Sequence, residues 1–449
     1  MCDLIDFVTQ MNQILWGPLT PSLIIGTGLL LQWRLAPFLI KEFPKVLGYL
    51  FSGMKRRTDA KQGEISPFHA LMTSLSATIG TGNIAGVSTA IMLGGPGAIF
   101  WMWMAGLVGL ATKFSEATLA VQFREKDAQG RFSGGPMYYI CKGLGPKYAF
   151  LATIYALCGS ITSFGLGNMV QANAVSDVLA RYTLIPIEVS AVALSAAAGF
   201  VIIGGISRIA AVAGKMVPMM SLLYLCAGMT ALMINFREIP SAFYTIFYSA
   251  FNGQAAAGGF LGSSMATALH YGVSRGVFSN EAGLGSAAIS HASASTSYPA
   301  RQGMIAMLGT CVDTLGICTM TGLVVLTSGA WKTGLTGAQL TSEAFGSAFW
   351  GGQYLVALCL CLFAYTTILG WCFYGEKCFC YLVGDKYRLF YRIAWILALP
   401  IGSLTKLEFI WMLADVMNAL MAYPNLIALV LLSGTLTKLV YAKKERKLA

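Results

Sequence analysis

An all-α membrane protein with eleven transmembrane helices is predicted, and three features of the 449 residues carry that prediction. Hydrophobic residues make up 56% and charged residues only 11%, whereas soluble domains are about a quarter charged. Four long stretches hold no Asp, Glu, Lys or Arg: Ile65 to Thr112, Tyr148 to Ser176, Ile239 to Ser274 and Ala344 to Gly375. Each exceeds the roughly 20 apolar residues that cross a bilayer as helix. The third feature is the placement of positive charge. If the chain starts outside and crosses eleven times, all Lys and Arg except Arg181, Arg237, Lys332 and Lys406 fall in cytoplasmic loops, the tail or the cytoplasmic halves of spans. That is the positive-inside asymmetry, so the net charge of +11 reads as topology and not as a nucleic-acid surface.

The N-terminus, Met1 to Gln13, lacks the basic region of a cleaved signal peptide, and the first span, Leu19 to Ile40, is expected to persist as an accessory helix. A basic loop with Lys41, Lys45, Lys55, Arg56, Arg57 and Lys61 completes this unit, residues 1–64. Ten further spans are expected near Pro67–Leu93, Ala98–Gln122, Tyr148–Leu179, Val189–Gly205, Met216–Asn235, Ser241–Tyr271, Met304–Gly329, Tyr354–Val383, Ile393–Ser403 and Phe409–Tyr441. The tail with Lys443, Lys444, Arg446 and Lys447 then lies in the cytoplasm, as expected of a multi-pass plasma-membrane protein with its N-terminus outside. The ten spans divide into five and five, 65–238 and 239–449. Five is odd, so the second set enters the membrane in the opposite sense, the inverted-repeat plan. The eleven Cys include no CxxC and no Cys/His cluster at metal spacing, and read as buried hydrophobes.

With no soluble domain, any chemistry must sit between helices. The most informative run is Ser76 to Gly86, where Gly80, Thr81, Gly82 and Asn83 interrupt an apolar helix at mid-depth. Glycine lets the helix open, and open backbone inside a bilayer is tolerated only where it lines a cavity or finds partners. Freed N–H groups suit a carboxylate and freed C=O groups a small cation. Close helix packing through small residues is the bland reading of the same letters. The match to a dinucleotide GxGxxA fingerprint fails for want of a preceding strand and an acidic partner.

Thr366 and Thr367, followed one turn later by Trp371, offer hydroxyls and an aromatic wall, although paired Thr also bond back to their own helix. In the second set, Asn252 to Gly259 is preferred as the matching break. The rival, Asn280 to Gly285, carries Glu281 with Arg275 nearby and reads as cytoplasmic. Gln171 and Asn168 are cavity-facing or interhelical. Asp313 and Asp415 invite a proton-relay reading, but with no carboxylate in the Gly80 segment, Na⁺ on neutral oxygens fits that segment better.

The run Gly94 to Trp103, with Gly80 to Asn83 and Ser279 to Ser286, resembles the alanine or glycine:cation symporter family, the sodium:alanine symporters, and the resemblance covers nearly the whole chain. It implies a LeuT-type fold, a five-plus-five inverted repeat, and Na⁺-driven uptake of small neutral amino acids by alternating access. It also implies a substrate site at Gly80, Thr81, Gly82 and Asn83 with Gln171, Thr367 and Trp371. Na⁺, the coupled ion, would be held by carbonyls of Ser76, Ile79 and Phe363 and the hydroxyls of Thr366 and Thr367. Fixed dipoles without net charge suit a zwitterion. Trp371 disfavours large side chains, because overpacking costs about 1–3 kcal/mol, so alanine or glycine is expected over leucine.

Proton coupling is the nearest alternative, and a channel is a further one. A membrane-embedded enzyme needs a nucleophile with a base, or a metal set. Only His69, His270 and His291 are available, HExxH is absent, and the GxSxG letters at Gly272 to Gly276 lack the strand that a nucleophile elbow requires.

Overall fold

The computed structural model describes residues 2–55, 64–126, 130–183, 185–252, 264–405 and 408–445. They are almost wholly helical; the one sheet among them is a hairpin of two-residue strands, β1 (Glu125–Lys126) and β2 (Phe132–Ser133). The N-terminal helix α1 (Cys2–Ile14) meets α2 (Thr20–Glu42) at a kink where Gly17 leaves helical geometry (φ −60°, ψ −144°), and α3 (Val46–Lys55) follows.

The next helix is interrupted. Its first half, α4 (Pro67–Thr78), starts on a Ser66 cap whose hydroxyl accepts the His69 N–H, with Pro67 in the first turn. It stops at Ile79, whose ψ of 96° is extended. A π-helical turn, Gly82–Gly86, leads into α5 (Val87–Gly94). Unbroken α6 (Ala98–Phe123) comes next, then a short turn of helix, α7 (Pro136–Tyr139). Helices α8 (Ala149–Thr162) and α9 (Val170–Tyr182) run on through a π turn, and α10 (Ile187–Ile202) and α11 (Gly205–Ile234) follow.

The expected span Ser241–Tyr271 is not one helix. It divides into α12 (Ile239–Asn252) and α13 (Met265–Asn280). Most of the break preferred from the sequence, residues 253–259, lies outside the described residues. The second interruption in a helix comes later, at Glu281 to Gly285, between α13 and the short α14 (Ser286–Ala292). After it come α15 (Pro299–Thr310) and α16 (Thr319–Thr327), joined by a π turn, then α17 (Gly337–Ala348), α18 (Gly352–Val383), α19 (Arg388–Leu404) and α20 (Glu408–Glu445).

Seven helical stretches of the described residues are long and apolar enough to cross a bilayer, and Gly82–Gly94 and Ile187–Ile202 are shorter apolar helices. Large apolar side chains such as Trp33, Phe200, Met233 and Phe390 stand exposed on the outer surface, which suits hydrocarbon as solvent. Inside, small residues let helices touch. A Cβ at Gly109 would lie 2.9 Å from that of Ala282, and one at Gly303 would lie 2.2 Å from Thr118 Oγ1. Helix α6 is thereby drawn against α13–α14 and α15.

The two broken helices run in opposite senses. Ile65, just before α4, bridges Ala294, just after α14, with Ser295 N–H donating to the Ile65 carbonyl at 2.8 Å. Arg124 clamps the same end by donating to the carbonyls of Ala292, Ala294 and Thr296 at 2.6–2.8 Å. Burial among these carbonyls lowers its pKa to about 10, which leaves it charged at physiological pH.

Candidate functional site between the broken helices

At the first break the chain is bridged by its own side chain. In a continuing helix the Gly80 N–H would go to the Ser76 carbonyl; here it donates to Asn83 Oδ1 at 2.9 Å. The Ser76 carbonyl loses its helical partner, while the Ser76 hydroxyl donates to Thr73 O at 2.8 Å. The Thr81 and Gly82 N–H groups begin the next helix, where no preceding turn claims them.

Beside this break, α18 presents Thr366 and Thr367. Thr366 Oγ1 donates to Phe363 O at 3.0 Å, and Thr367 Oγ1 is shared between Phe363 O at 2.9 Å and Ile79 O at 3.2 Å. Four buried oxygens from two helices therefore converge: the carbonyls of Ile79 and Phe363 and the two hydroxyls. Gly80 is required for this approach, since a Cβ there would lie 2.6 Å from Thr367 Oγ1. No group of three or more His, Cys, Asp and Glu among the described residues stands together as a metal cluster.

The second break faces the first. Glu281 adopts a left-handed conformation (φ 56°), and Gly283 and Gly285 have φ of 95° and 75°, accessible to glycine without the Cβ penalty. Their N–H groups both donate to Glu116 Oε1 on α6 at 3.0 Å. Asn425 of α20 donates to the same oxygen at 2.7 Å and to Gly283 O at 2.8 Å. Ser286 donates to Glu281 Oε2 at 2.5 Å. The opened backbone is thus satisfied by side chains from α6 and α20, as apolar surroundings demand.

Between the breaks lies a cavity of about 30 Å³, room for roughly two waters. Gly80, Thr81, Gly82, Gln171, Thr367 and Trp371 all line it, so six of the seven residues expected around the substrate come together. Gln171 Nε2 donates to Thr81 Oγ1 at 3.2 Å and Leu166 O at 3.0 Å, which leaves Gln171 Oε1 buried without a partner; Asn418 Oδ1, also on the cavity, is in the same state. Trp371 is seated through Gly167, where a Cβ would lie 2.2 Å from the Trp371 Cβ.

Asn83 departs from expectation. It is absent from the cavity wall, and its Nδ2 donates to Asp313 Oδ1 at 2.6 Å and Ser279 Oγ at 3.0 Å. Asp313 also accepts from Thr314 at 2.9 Å, so it is a hydrogen-bonded junction of α4–α5, α13 and the π turn after α15. The less favoured Asn280 to Gly285 run forms a break at the cavity, and this region adds Phe278, Glu281 and Leu284 to its wall. Glu281 is buried on the cavity wall, which is therefore not free of ionisable groups. The signal was present in two glycines beside an Asn; the neighbouring charges read as water-facing because their burying partners are remote in sequence. Asn418 and Leu166 were also missed, as were buried Lys113 and Glu116 on α6.

Comparison with known proteins agrees with this architecture. The sodium:alanine symporter family model matches residues 1–448. The sodium/alanine symporter AgcS of Methanococcus maripaludis is 45% identical over 450 residues, 99% of this chain and 98% of that one. The "Probable sodium/glutamine symporter GlnT" of Bacillus subtilis is 38% identical over 433 residues, 94% and 87% of the two chains. Among solved structures, MhsT in complex with L-phenylalanine superposes with a TM-score of 0.60 at 11% identity, covering 83% of this chain and 89% of that one. That likeness establishes the LeuT-type helical fold. A family match over essentially every residue, with close relatives aligned end to end, shows that this multi-pass membrane chain belongs to the sodium:alanine symporter family.

Proposed function

We propose that the chain couples Na⁺ entry to uptake of a small neutral amino acid, alanine or glycine, at the cavity between the two broken helices. The observation that carries this reading is the convergence of opened backbone at Ile79 to Gly82 with the Thr366 and Thr367 hydroxyls beside a small cavity. The substrate carboxylate sits at the Thr81 and Gly82 N–H groups, where the helix dipole favours negative charge. The ammonium faces the unpartnered oxygens of Gln171 and Asn418, with Glu281 on the same wall. Na⁺ takes the carbonyls of Ser76, Ile79 and Phe363 and the two Thr hydroxyls. Trp371, Phe278 and Leu284 would flank the substrate side chain, and the bulk of Trp371 disfavours one as large as that of leucine.

The chain is read as crossing the plasma membrane eleven times, N-terminus outside and C-terminus in the cytoplasm. Residues 1–64 are accessory, and 65–238 and 239–449 are the two inverted repeats. In the second repeat α13–α14 is the counterpart of α4–α5, and α12 precedes it. Transport proceeds by alternating access around the midplane site. Buried Glu281 and Asp313 favour one second reading, proton coupling at the same site.

Uptake of alanine into proteoliposomes under an imposed Na⁺ gradient tests the proposal. Accumulation against the alanine gradient is expected with Na⁺, with loss in Thr366→Ala. Equal accumulation driven by a pH gradient in Na⁺-free medium would replace Na⁺ by protons, and non-saturating flux would make the protein a channel.

A further inference from the structure

A buried cation stands beside the second break without a partner. Lys113 lies in the second half of α6, is 3% exposed, and its Nζ meets no hydrogen-bond acceptor. No ion pair within 4.0 Å includes it among the described residues. Helical spacing fixes what it faces, because positions 109, 113 and 116 share one side of α6. A Cβ at Gly109 would lie 2.9 Å from that of Ala282, and Glu116 Oε1 accepts from Gly283 and Gly285 at 3.0 Å. Lys113, between the two, is therefore turned to the Glu281 to Gly285 break, within electrostatic reach of Glu281.

The two glutamates at this break are equipped differently. Glu116 Oε1 is saturated by three donors of the chain. Glu281 receives one hydrogen bond, from Ser286 to Oε2, and no described residue donates to its Oε1, although the residue lines the central cavity. The other ionisable groups facing Lys113 or Glu281 are Glu116 on α6, His291 on α14, Asp313 in the π turn after α15, Tyr155 on α8 and Tyr374 on α18. None of these is a lysine or arginine. A carboxylate in such surroundings takes up a proton unless a positive charge stands near. An ammonium bonded to Glu281 would occupy the oxygen a substrate could use; one set back from it sustains the charge and leaves that oxygen open. Packing alone would favour an apolar side chain at 113, since three buried donors without acceptors are costly.

We propose that Lys113 is a positioning residue for the substrate: its charge keeps Glu281 a carboxylate on the cavity wall, where Oε1 receives the substrate ammonium. The inference deepens the amino-acid reading of the central cavity and rests on it.

The test is binding of radiolabelled L-alanine to the full-length protein in lipid nanodiscs with saturating Na⁺, from acid to mildly alkaline pH. Glu281→Gln should lower alanine affinity about ten- to a hundredfold, the loss of one charge-assisted contact. Removing the cation favours the protonated acid, so in Lys113→Met the carboxylate is lost at higher pH. The midpoint of the acid loss of affinity should move up by about one pH unit or more, and by less in Lys113→Arg, which keeps the charge. Combined with Glu281→Gln, Lys113→Met should add no further loss, because it acts through Glu281. The double variant removes both charges of the couple, so it still decides the matter if Lys113→Met alone does not fold. Unchanged affinity in Glu281→Gln, a loss in the double variant beyond that of Glu281→Gln, or an unmoved acid midpoint in Lys113→Met overturns the role of Lys113 while Na⁺-dependent binding by the wild type stands. Absence of Na⁺-dependent alanine binding in the wild type overturns the central reading instead.

Discussion

Two glycines set the dimensions of the site. Gly80→Ala places a methyl group 2.6 Å from Thr367 Oγ1, and the strain of about 1–3 kcal/mol is relieved by pushing Thr367 off the Ile79 and Phe363 carbonyls. The apparent Na⁺ affinity of alanine uptake should fall about tenfold or more. At Gly86, where an added Cβ meets nothing within 4 Å, alanine substitution should leave Na⁺ dependence unaltered; titrating Na⁺ against initial rate in both variants checks the contrast. Gly167→Ala presses on Trp371 from behind, at 2.2 Å, and drives the indole toward the cavity. Glycine uptake should then outlast alanine uptake in competition assays, which separates a narrowed pocket from a misfolded one.

Helix breaks depend on the side chains that receive their loose ends. At Glu281 to Gly285 the receiver is Glu116, whose Oε1 accepts from Gly283, Gly285 and Asn425 together. Glu116→Ala leaves these three donors without their buried acceptor, at roughly 1–3 kcal/mol each. Stability should drop by at least about 3 kcal/mol, read as a lower thermal midpoint in detergent. Glu116→Gln retains an acceptor oxygen and should lose less. The first break is supported from within by Asn83, through Gly80 N–H on one side and Asp313 on the other. Asn83→Ala should therefore weaken transport through the shape of the break, while Asn83→Asp, which keeps the acceptor, should still bridge Gly80 but repel Asp313.

For the whole molecule, the proposed placement of the ion and the amino acid on the one Gly80 segment couples their binding, and the factor by which one changes the affinity of the other must be reciprocal. Na⁺ at a hundredfold its dissociation constant should stabilise the fold by about 2.7 kcal/mol, and alanine should add to this only when Na⁺ is present. Thermal unfolding in Na⁺ and in choline, with and without alanine, checks the linkage. An alanine shift of equal size in choline would dissociate the two sites.

Apolar runs, glycine placement and the distribution of Lys and Arg are local properties of a chain meeting a bilayer. They sufficed to foretell the helical fold, the opening at Gly80 and, through family resemblance, the cluster of Gln171, Thr367 and Trp371. They could not choose between Asn252 to Gly259 and Glu281 to Gly285, because a charged residue beside glycine looks water-exposed until its partners are known. Those partners, Glu116 on α6 and Asn425 on α20, come from distant parts of the chain. Folding brings them together, and in a medium without water that convergence satisfies the opened backbone at Glu281 to Gly285 and leaves it buried at the cavity wall.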